Sequence, residues 1–370
     1  MSTILSQEVI PLTSHAQQTY RRILISRMKF IGDIVLTTPV IRSVRVAFPD
    51  AYIAYMGEKE TVSLLEHNPH LNEVIPFDFS RPTILEQSRV ALLLWRRKFD
   101  LAVDLFGNPR SALLTYLSRA KTRVGLERRG RGTLYTVQVR DDGGPKTAIE
   151  FHNQFIKAIG IEPTSSKTEI FLTGDEKREA GIYLKWRGYG STPLDMTKPI
   201  IGIHPGATWP SKKWLPERFA ELADMITARL GAQLLLTAGP NDGETVKDVL
   251  KRSFSNMMLI SGLPLRQLAA IISLCAAYVT NDVGPMHIAA AVGTPTIGLF
   301  GPGEENIWFP YSRQDGHTAL RKDVFCHPCH LDFCNREREG YMECMKLLTV
   351  GEVVSALEQS LSIKPPQIIR

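Results

Sequence analysis

Residues 261–303 read SGLPLRQLAAIISLCAAYVTNDVGPMHIAAAVGTPTIGLFGPG. A polar amphipathic run ending at Cys275 is followed by a short apolar run, a polar loop, a helix of small residues and a second apolar run that ends in glycines. This order of strand, loop, helix, strand and loop is typical of a parallel α/β unit. Such sheets bind ligands at the carboxyl ends of their strands, which is where Asp282 and Gly284 fall.

The loop that enters the small-residue helix at Pro285 favours an anion. Proline suits a first helical turn, where its missing N–H is not needed, and Gly284 lets a ligand approach the backbone. The free N–H groups and the helix dipole attract negative charge, typically a phosphate, and His287 lies in the same first turn. The alternative is that Asp282 only caps the helix and that His287 only packs.

The composition is that of an ordinary globular protein with room for two domains: 370 residues, 44% hydrophobic and 22% charged. A net charge of +6 and a pI near 9.0 favour an anionic partner. The longest apolar run, residues 268–279, is too short to span a membrane, and the N-terminus lacks the pattern of a signal peptide. Together with an odd number of cysteines, five, this indicates a cytoplasmic protein.

Strand and helix patterns alternate along both halves of the chain, which predicts an α/β fold of two doubly wound, Rossmann-like domains facing across a cleft. In the first half we predict one helix over residues 34–47 and a last strand at 122–125. Four segments are predicted: a loose leader, 1–19; an N-terminal domain, 20–190; a C-terminal domain, 191–349; and a C-terminal helix, 350–370, as a candidate to pack back on the N-terminal domain.

The first candidate site follows the first strand. Gly32-Asp33 falls at the strand-to-helix switch, so a carboxylate there faces the cleft and can act as a general base on a hydroxyl. The alternative is that Asp33 is an N-cap for the helix behind it. Arg27 and Lys29 flank it and either hold anionic groups or are solvated.

The second half offers two more candidate sites. His204-Pro205-Gly206-Ala207-Thr208 leaves the first strand of that half and is followed by Lys212; a hydroxyl and an ammonium there can hold a leaving diphosphate. Alternatively, this segment is a solvated loop. The turn 239–244 contains Asp242 and Glu244, and an acid in such a turn can hold ribose hydroxyls.

Taken in order, these motifs resemble the ADP-heptose:lipopolysaccharide heptosyltransferase family, glycosyltransferase family 9. The residues that carry the resemblance run from about Arg21 to the C-terminus: Gly32-Asp33 with Thr38-Pro39, His204-Pro205-Gly206, Lys212-x-Trp214, and Asn281-Asp282-x-Gly284-Pro285-Met286-His287. The segment 104–111, DLFGNPRS, also looks like the N-terminal domain of this family.

The resemblance implies a GT-B fold and an inverting, metal-independent glycosyltransferase. The donor would be ADP-heptose and the acceptor the inner core of lipopolysaccharide on its lipid A, reached by peripheral contact at the cytoplasmic face of the inner membrane. No cofactor and no nucleic acid partner are implied. The first half would bind the acceptor and the second half the nucleotide sugar.

The resemblance also implies the roles of single residues. Asp33 matches the general base of the family. The remaining matches bind the donor: Thr208 and Lys212 at the diphosphate, Asp242 and less closely Glu244 at the ribose, and Asp282, Gly284 and His287 in the sugar and phosphate loop.

Two departures from the family pattern concern the donor. Val283 stands where the family usually has serine or threonine, and Ala207 stands where some members have a second threonine. A glycosyltransferase of the same fold with a different nucleotide-sugar donor is therefore an alternative. A nucleotide-sugar epimerase would need several acids and a histidine near the anomeric centre, whereas only Asp33 is so placed. A non-catalytic, basic binding protein would leave Asp33 and Lys212 unexplained.

Three basic segments, 96–98, 119–123 and 128–131, fall in the N-terminal half. They fit a phosphorylated, acidic lipid acceptor at a membrane surface, or they are ordinary solvated faces.

Four cysteines follow the last glycine loop: Cys326-x-x-Cys329, Cys334 and Cys344. Four thiolates would suffice for a structural zinc, but the later gaps do not repeat the C-x-x-C spacing. Reduced thiols in a packed loop are the favoured interpretation, and no metal is predicted at the active site.

Overall fold

A computed structural model describes residues 19–128, 130–187, 194–195 and 197–364. Residues 1–18 of the predicted leader, the turn 190–193 near the predicted boundary, Arg129 and residues 365–370 lie outside the described residues.

Within the described residues, twelve strands form two parallel sheets of six. The first sheet has the order β3-β2-β1-β4-β5-β6. Its strands are β1 (Arg22–Ser26), β2 (Tyr52–Glu58), β3 (Glu73–Phe77), β4 (Leu101–Asp104), β5 (Thr122–Leu126) and β6 (Val137–Val139).

The second sheet repeats this topology in the order β12-β11-β10-β7-β8-β9. Its strands are β7 (Ile200–His204), β8 (Gln233–Ala238), β9 (Met257–Ser261), β10 (Ala277–Asn281), β11 (Thr296–Leu299) and β12 (Thr318–Leu320). In each sheet the strand order reverses between the first and the fourth strand, which is where ligands bind in doubly wound folds. The predicted fold class is confirmed.

The helices cover both faces of the sheets. In the first half they are α1 (Ile31–Leu36), α2 (Thr38–Ala47), α3 (Lys59–Val62), α4 (Thr83–Arg97), α5 (Pro109–Leu117) and α6 (Ala148–Lys157). They continue with α7 (Gly174–Arg187), α8 (Pro216–Leu230), α9 (Gly243–Arg252), α10 (Leu265–Ile272), α11 (Gly284–Ala291), α12 (Glu305–Trp308), α13 (Glu343–Lys346) and α14 (Val350–Ile363).

Two local predictions for the first half are wrong. The single helix predicted over 34–47 is two helices, because Pro39 lacks the N–H that would continue the hydrogen-bond ladder and the chain breaks at Thr37. The strand at 122–125 is not the last of its sheet, since β6 pairs with it at the edge. A three-residue edge strand such as Val137–Val139 is too short to leave a periodic signal.

Two helices belong to a different half than predicted. Helix α7 packs through Ala180 and Leu184 on the core of the second sheet, so the second body begins before the predicted boundary near residue 190. Helix α14, described as far as residue 364, buries Val353 and Leu357 in the same second half, against β10 and β11, rather than on the first sheet as its candidate packing had it. In both cases the apolar face of the helix is completed by strands distant in sequence.

The two halves meet along a tight seam. Helix α1 of the first half lies against α11 of the second, and Val35 joins a buried cluster with Ile288 and Ala289. Beside this seam, Arg266 of α10 donates to the carbonyl of Glu66 at 2.9 Å and pairs with Glu176 at 2.6 Å. The cleft is thus closed at its base by apolar packing and by a buried guanidinium.

Candidate active site

Asp33 lies at the switch point of the first sheet, in the first turn of α1. Its Oδ2 accepts a hydrogen bond from the Phe30 N–H at 3.0 Å, and its Oδ1 pairs with the Arg27 guanidinium. Arg27 also lies over the Phe106 ring at 4.4 Å, so the partner of Asp33 is itself held in place. The carboxylate therefore has a fixed orientation, and two of its roughly four acceptor positions are in use.

A cavity of about 770 Å³ opens beside Asp33. Three basic side chains of the first half line it, namely Arg128, Arg131 and Lys146, of which Lys146 is paired with Asp141 and Asp142. Trp308 and Glu304 of the second half also line it. His152 lines the same wall, where burial lowers its pKa to about 3. The cavity combines positive charge with aromatic surface and suits an anionic, partly apolar molecule.

A second cavity, of about 410 Å³, lies at the carboxyl ends of β7, β8, β9 and β10. Thr208, Asp242 and Gly284 line it, and so does Val283. These predicted donor-binding residues come from three separate loops, and the structure brings them to one concave surface. Its position at the strand-order reversal is the usual place for a nucleotide in such a sheet.

Asp242 is held by its own loop after β8 and by the end of β7 with the loop that follows it. Its Oδ2 accepts from the Gly239 N–H at 2.7 Å and lies 3.7 Å from His204 Nε2. Glycine at residue 206 makes room for this carboxylate, because a β-carbon there would lie 2.0 Å from Asp242 Oδ2 and displace it. Burial lowers the pKa of His204 to about 4, although Asp242 acts in the opposite direction, so the imidazole is neutral at physiological pH.

Lys212 and Asp282 form one ion pair and do not themselves line the donor-side cavity, whose lining includes their chain neighbours Lys213 and Val283. The Lys212 ammonium lies 2.5 Å from Asp282 Oδ2 and 4.7 Å from the centre of the Trp209 ring. Gly303 packs over the pair, and a β-carbon there would lie 2.9 Å from Asp282 Oδ2. Backbone, aromatic ring and carboxylate thus hold the ammonium close to the cleft.

His287 lies where the two halves touch. Its Nδ1 shares a hydrogen bond of 2.7 Å with the Tyr311 hydroxyl, and its ring contacts the backbone of Gly32, the residue before Asp33. Burial lowers the pKa of His287 to about 4, with Asp282 and Asp33 opposing, so the ring is neutral near pH 7. Tyr311 carries no motif signal and could not be found from the sequence.

Helix α1 connects the two cavities. Ile31 lines the donor-side cavity, while Asp33, two residues further on, lines the other. Gly284 makes the close approach possible from the second half, since a β-carbon there would lie 2.8 Å from Ile31 Cβ. A group bound in either cavity is therefore within reach of the same short helix.

One residue suggested by the sequence lies away from the cavity, and another that contacts the loops there was missed. The Glu244 side chain is 90% exposed and pairs with Lys247, so it does not share the cavity of Asp242. Asn281 was not predicted to act, but its amide donates to the Pro205 carbonyl at 2.9 Å and its Oδ1 accepts from the Trp214 N–H. Asn281 joins the loops after β7 and β10. Its position in a strand-to-loop motif is the sequence feature that could have identified it.

The three basic segments separate in space. Arg128 and Arg131 line the cavity beside Asp33, whereas Arg96, Lys98 and Arg119 project from the outer side of the first half. The charge that the sequence placed in one half is therefore divided between a cavity and an outer surface.

The four clustered cysteines are free thiols in a partly buried loop. The Met342 N–H donates to the Cys334 sulfur at 3.3 Å. Burial raises the pKa of Cys344 to about 11, with the neighbouring thiols adding to the effect. Among the described residues, no three side chains of the His, Cys, Asp and Glu types gather closely enough to hold a metal ion.

In the part of the chain that the structure describes, no helix combines the length and the apolar character needed to cross a bilayer.

The sequence of this chain is similar to that of known glycosyltransferases. The sequence model of glycosyltransferase family 9 (heptosyltransferase) matches residues 89–337. The chain is 26% identical to lipopolysaccharide heptosyltransferase 2 of Escherichia coli K12, over 90% of this chain and 99% of that protein.

Two solved structures share the fold. A family 9 glycosyl transferase from Veillonella parvula superimposes with a TM-score of 0.83 at 26% identity, over 94% of this chain and 98% of that one. The E. coli ADP-heptose LPS heptosyltransferase II superimposes with a TM-score of 0.75 at 23% identity, over 92% and 98%, and shares the fold.

Proposed function

Because this chain belongs to glycosyltransferase family 9, the heptosyltransferase family, we propose that it transfers heptose from ADP-heptose to the inner core of lipopolysaccharide with inversion at the anomeric carbon. Asp33 is the general base of this proposal. Relatives named as lipopolysaccharide heptosyltransferases over nearly the whole length support heptose as the transferred sugar and lipopolysaccharide as the acceptor class.

One observation carries the proposed mechanism: α1 presents Ile31 to the donor-side cavity and Asp33 to the cavity with the basic wall. An acceptor hydroxyl in the cavity beside Asp33 would therefore meet Asp33 on its way to a sugar held in the donor-side cavity. The remaining acceptor positions of the Asp33 carboxylate are available to that hydroxyl.

The proposed step begins when Asp33 takes the proton of the acceptor hydroxyl. The oxygen attacks the anomeric carbon from the side opposite the diphosphate, and the bond from that carbon to the diphosphate oxygen breaks. The leaving ADP gains negative charge, which the amino terminus of α11 at Gly284 and the Lys212 ammonium stabilise. His287 takes part in this step as a neutral ring. Its Nδ1 is bonded to Tyr311, so Nε2 is the nitrogen that Tyr311 does not engage.

We further propose that this charge compensation comes from the protein, so that no resident cofactor is needed. Turnover is then expected to persist when EDTA is added. A loss of turnover that added Mg²⁺ restores would contradict this part of the proposal.

The acceptor is proposed to be a phosphorylated lipid A core at the cytoplasmic face of the inner membrane. Arg128 and Arg131, which line this cavity and have no carboxylate partner among the described residues, support an anionic acceptor, whereas Lys146 is already paired with Asp141 and Asp142. The donor is tested directly, because Val283 lines the donor-side cavity where the family usually has a hydroxyl side chain. ADP-heptose is therefore assayed beside ADP-glucose and UDP sugars.

The test of the base is Asp33→Asn, which keeps the shape of the side chain. We expect kcat for ADP release with a truncated lipopolysaccharide core to fall by about 10²–10⁴, while ADP binding by calorimetry is unchanged. Asp50→Asn, at an exposed turn of the same half, is the matched control and should retain full turnover. Wild-type turnover in Asp33→Asn would overturn the assignment.

A further inference from the structure

The outer faces of α4 and α5 form an exposed apolar surface, here called the α4–α5 face. Within the described residues, seven of the eighteen exposed large apolar side chains lie on these two neighbouring helices, so they are concentrated rather than scattered. They are Ile84, Leu85, Leu92, Trp95, Leu113, Tyr116 and Leu117. On α4 the opposite side, with Val90 and Leu94, is fully buried in the core, so the exposed stripe is a second apolar face of the same helix.

Arginines frame the aromatic side chains of this face. The Arg119 guanidinium lies 5.8 Å from the centre of the Trp95 ring, and the Arg123 guanidinium lies 5.5 Å from that of Tyr116. The first contact joins the end of α4 to the segment after α5, so the two helices contribute to one continuous surface.

The charge of the α4–α5 face is almost entirely positive. Residues 83–98 and 109–123 contain eight lysines and arginines and one acid, Glu86. Glu86 is fully buried and pairs with Arg89. In the described part of the chain, Arg96, Lys98, Arg119 and Lys121 are exposed and have no carboxylate partner, although Arg97 pairs with Glu73.

We propose that the α4–α5 face is the surface by which this protein docks on an anionic lipid bilayer. Tryptophan and tyrosine place their rings at the boundary between acyl chains and headgroups, leucine and isoleucine enter it, and unpaired arginine and lysine bind lipid phosphates. The inference rests on the proposed function in so far as the acceptor is a membrane lipid. It adds that docking uses a surface separate from the cavity beside Asp33.

A second copy of the chain fits this face less well. In a symmetric dimer the same patch meets itself, so the unpaired basic rims would lie against each other without acids to balance them. A bilayer rich in phosphatidylglycerol supplies the opposite charge over the whole area.

The experiment is co-sedimentation of the full chain with vesicles. The wild type should bind vesicles of phosphatidylethanolamine and phosphatidylglycerol and fail to bind vesicles of phosphatidylcholine alone. Arg119→Gln with Lys121→Gln should weaken binding by about 25-fold, since one basic residue near an anionic surface is worth about fivefold. The matched control, Lys251→Gln with Arg252→Gln, removes the same charge from exposed positions of α9 and should bind as the wild type does.

Tryptophan offers a second matched pair. Trp95→Ser should weaken vesicle binding by about tenfold, because part of an aromatic side chain no longer enters the interface. Trp186→Ser, on α7, changes a side chain that is more exposed, 82% against 48%, and should have no effect. All four variants should release ADP at the wild-type rate with a water-soluble core acceptor.

Three results would overturn the proposal. The first is equal vesicle binding by the wild type and the Arg119/Lys121 variant. The second is a loss of vesicle binding that is the same in the α4–α5 face variants and in their controls. The third is a wild-type dimer that Trp95→Ser dissociates. Failure of the proposed function is a separate result, since absence of ADP release with every core acceptor would leave vesicle binding as it is.

Discussion

Replacing Gly32 by alanine tests whether the proposed reaction requires α1 and α11 to be in contact. A β-carbon at residue 32 would lie 2.5 Å from Cδ2 of His287 and 2.9 Å from its Nε2. The imidazole cannot easily turn away, because it is buried and its Nδ1 is bonded to Tyr311. The added methyl group must therefore push the two helices apart.

The size of the effect follows from this distance. Ordinary contacts of a β-carbon begin near 3.4 Å. The helices must consequently separate by about 1 Å, and a displacement of that size at a reacting centre lowers the rate by about 100-fold. Overpacking lowers the free energy of unfolding by about 1–3 kcal/mol, and the better helix propensity of alanine offsets about 1 kcal/mol of this. The variant should fold and be slow.

The assay is kcat for ADP release at saturating donor and acceptor, with ADP affinity measured by calorimetry and stability by thermal unfolding. ADP affinity should be nearly unchanged, since Ile31 is the single contribution of α1 to the donor-side cavity among the described residues. Gly351→Ala in α14 is the control, because a β-carbon there meets nothing within 4 Å. A folded Gly32→Ala variant with the kcat of the wild type would refute the reasoning, since the reaction would then proceed with the helices apart.

Three further predictions concern the second half. Gly206→Ala would place a β-carbon 2.0 Å from Asp242 Oδ2; we expect ADP affinity to fall about tenfold or more by calorimetry, and unchanged affinity would argue against Asp242 at the nucleotide. Tyr311→Phe leaves His287 Nδ1 without its 2.7 Å partner; unfolding should become easier by about 1–3 kcal/mol in urea titrations, with lower kcat/KM, and wild-type values of both would contradict the positioning role. Folding depresses the pKa of His287 from 6.5 to about 4, so the unfolded chain binds the proton first, and the free energy of unfolding should fall as the pH drops from 6.5 to 4. Urea midpoints measured against pH should show a shallower fall in His287→Asn; an unchanged slope would mean that His287 is not buried in its neutral form.

The order of motifs was enough to predict the architecture and to select four residues that line the two cavities, Asp33, Thr208, Asp242 and Gly284. Parallel strands buried on both faces need nearly continuous apolar runs, and residues 277–279 and 296–300 show this locally. Glycine and proline at Gly284-Pro285 determine where the next helix begins, so the loop that faces a ligand can be located without coordinates. Asp33 and Asp242 were found for the same reason, since each follows a recognisable strand.

Orientation within a loop was not predictable in this way. Asp242 and Glu244 are two residues apart in one turn, yet one lies against Gly206 and the other points to solvent. The difference arises from the loop after β7, which comes from another part of the chain.

The sequence by itself determined two Rossmann-like halves, the strand ends that carry polar residues, and a family resemblance that the comparisons support. The tertiary structure decided which half α7 and α14 join, that Gly32 touches His287, and that the basic segments divide between a cavity and the α4–α5 face. The physical reason is the distance along the chain over which each effect acts. Backbone propensity and side-chain periodicity act over a few neighbouring residues, whereas burial and charge pairing depend on which distant segments the folded chain brings together.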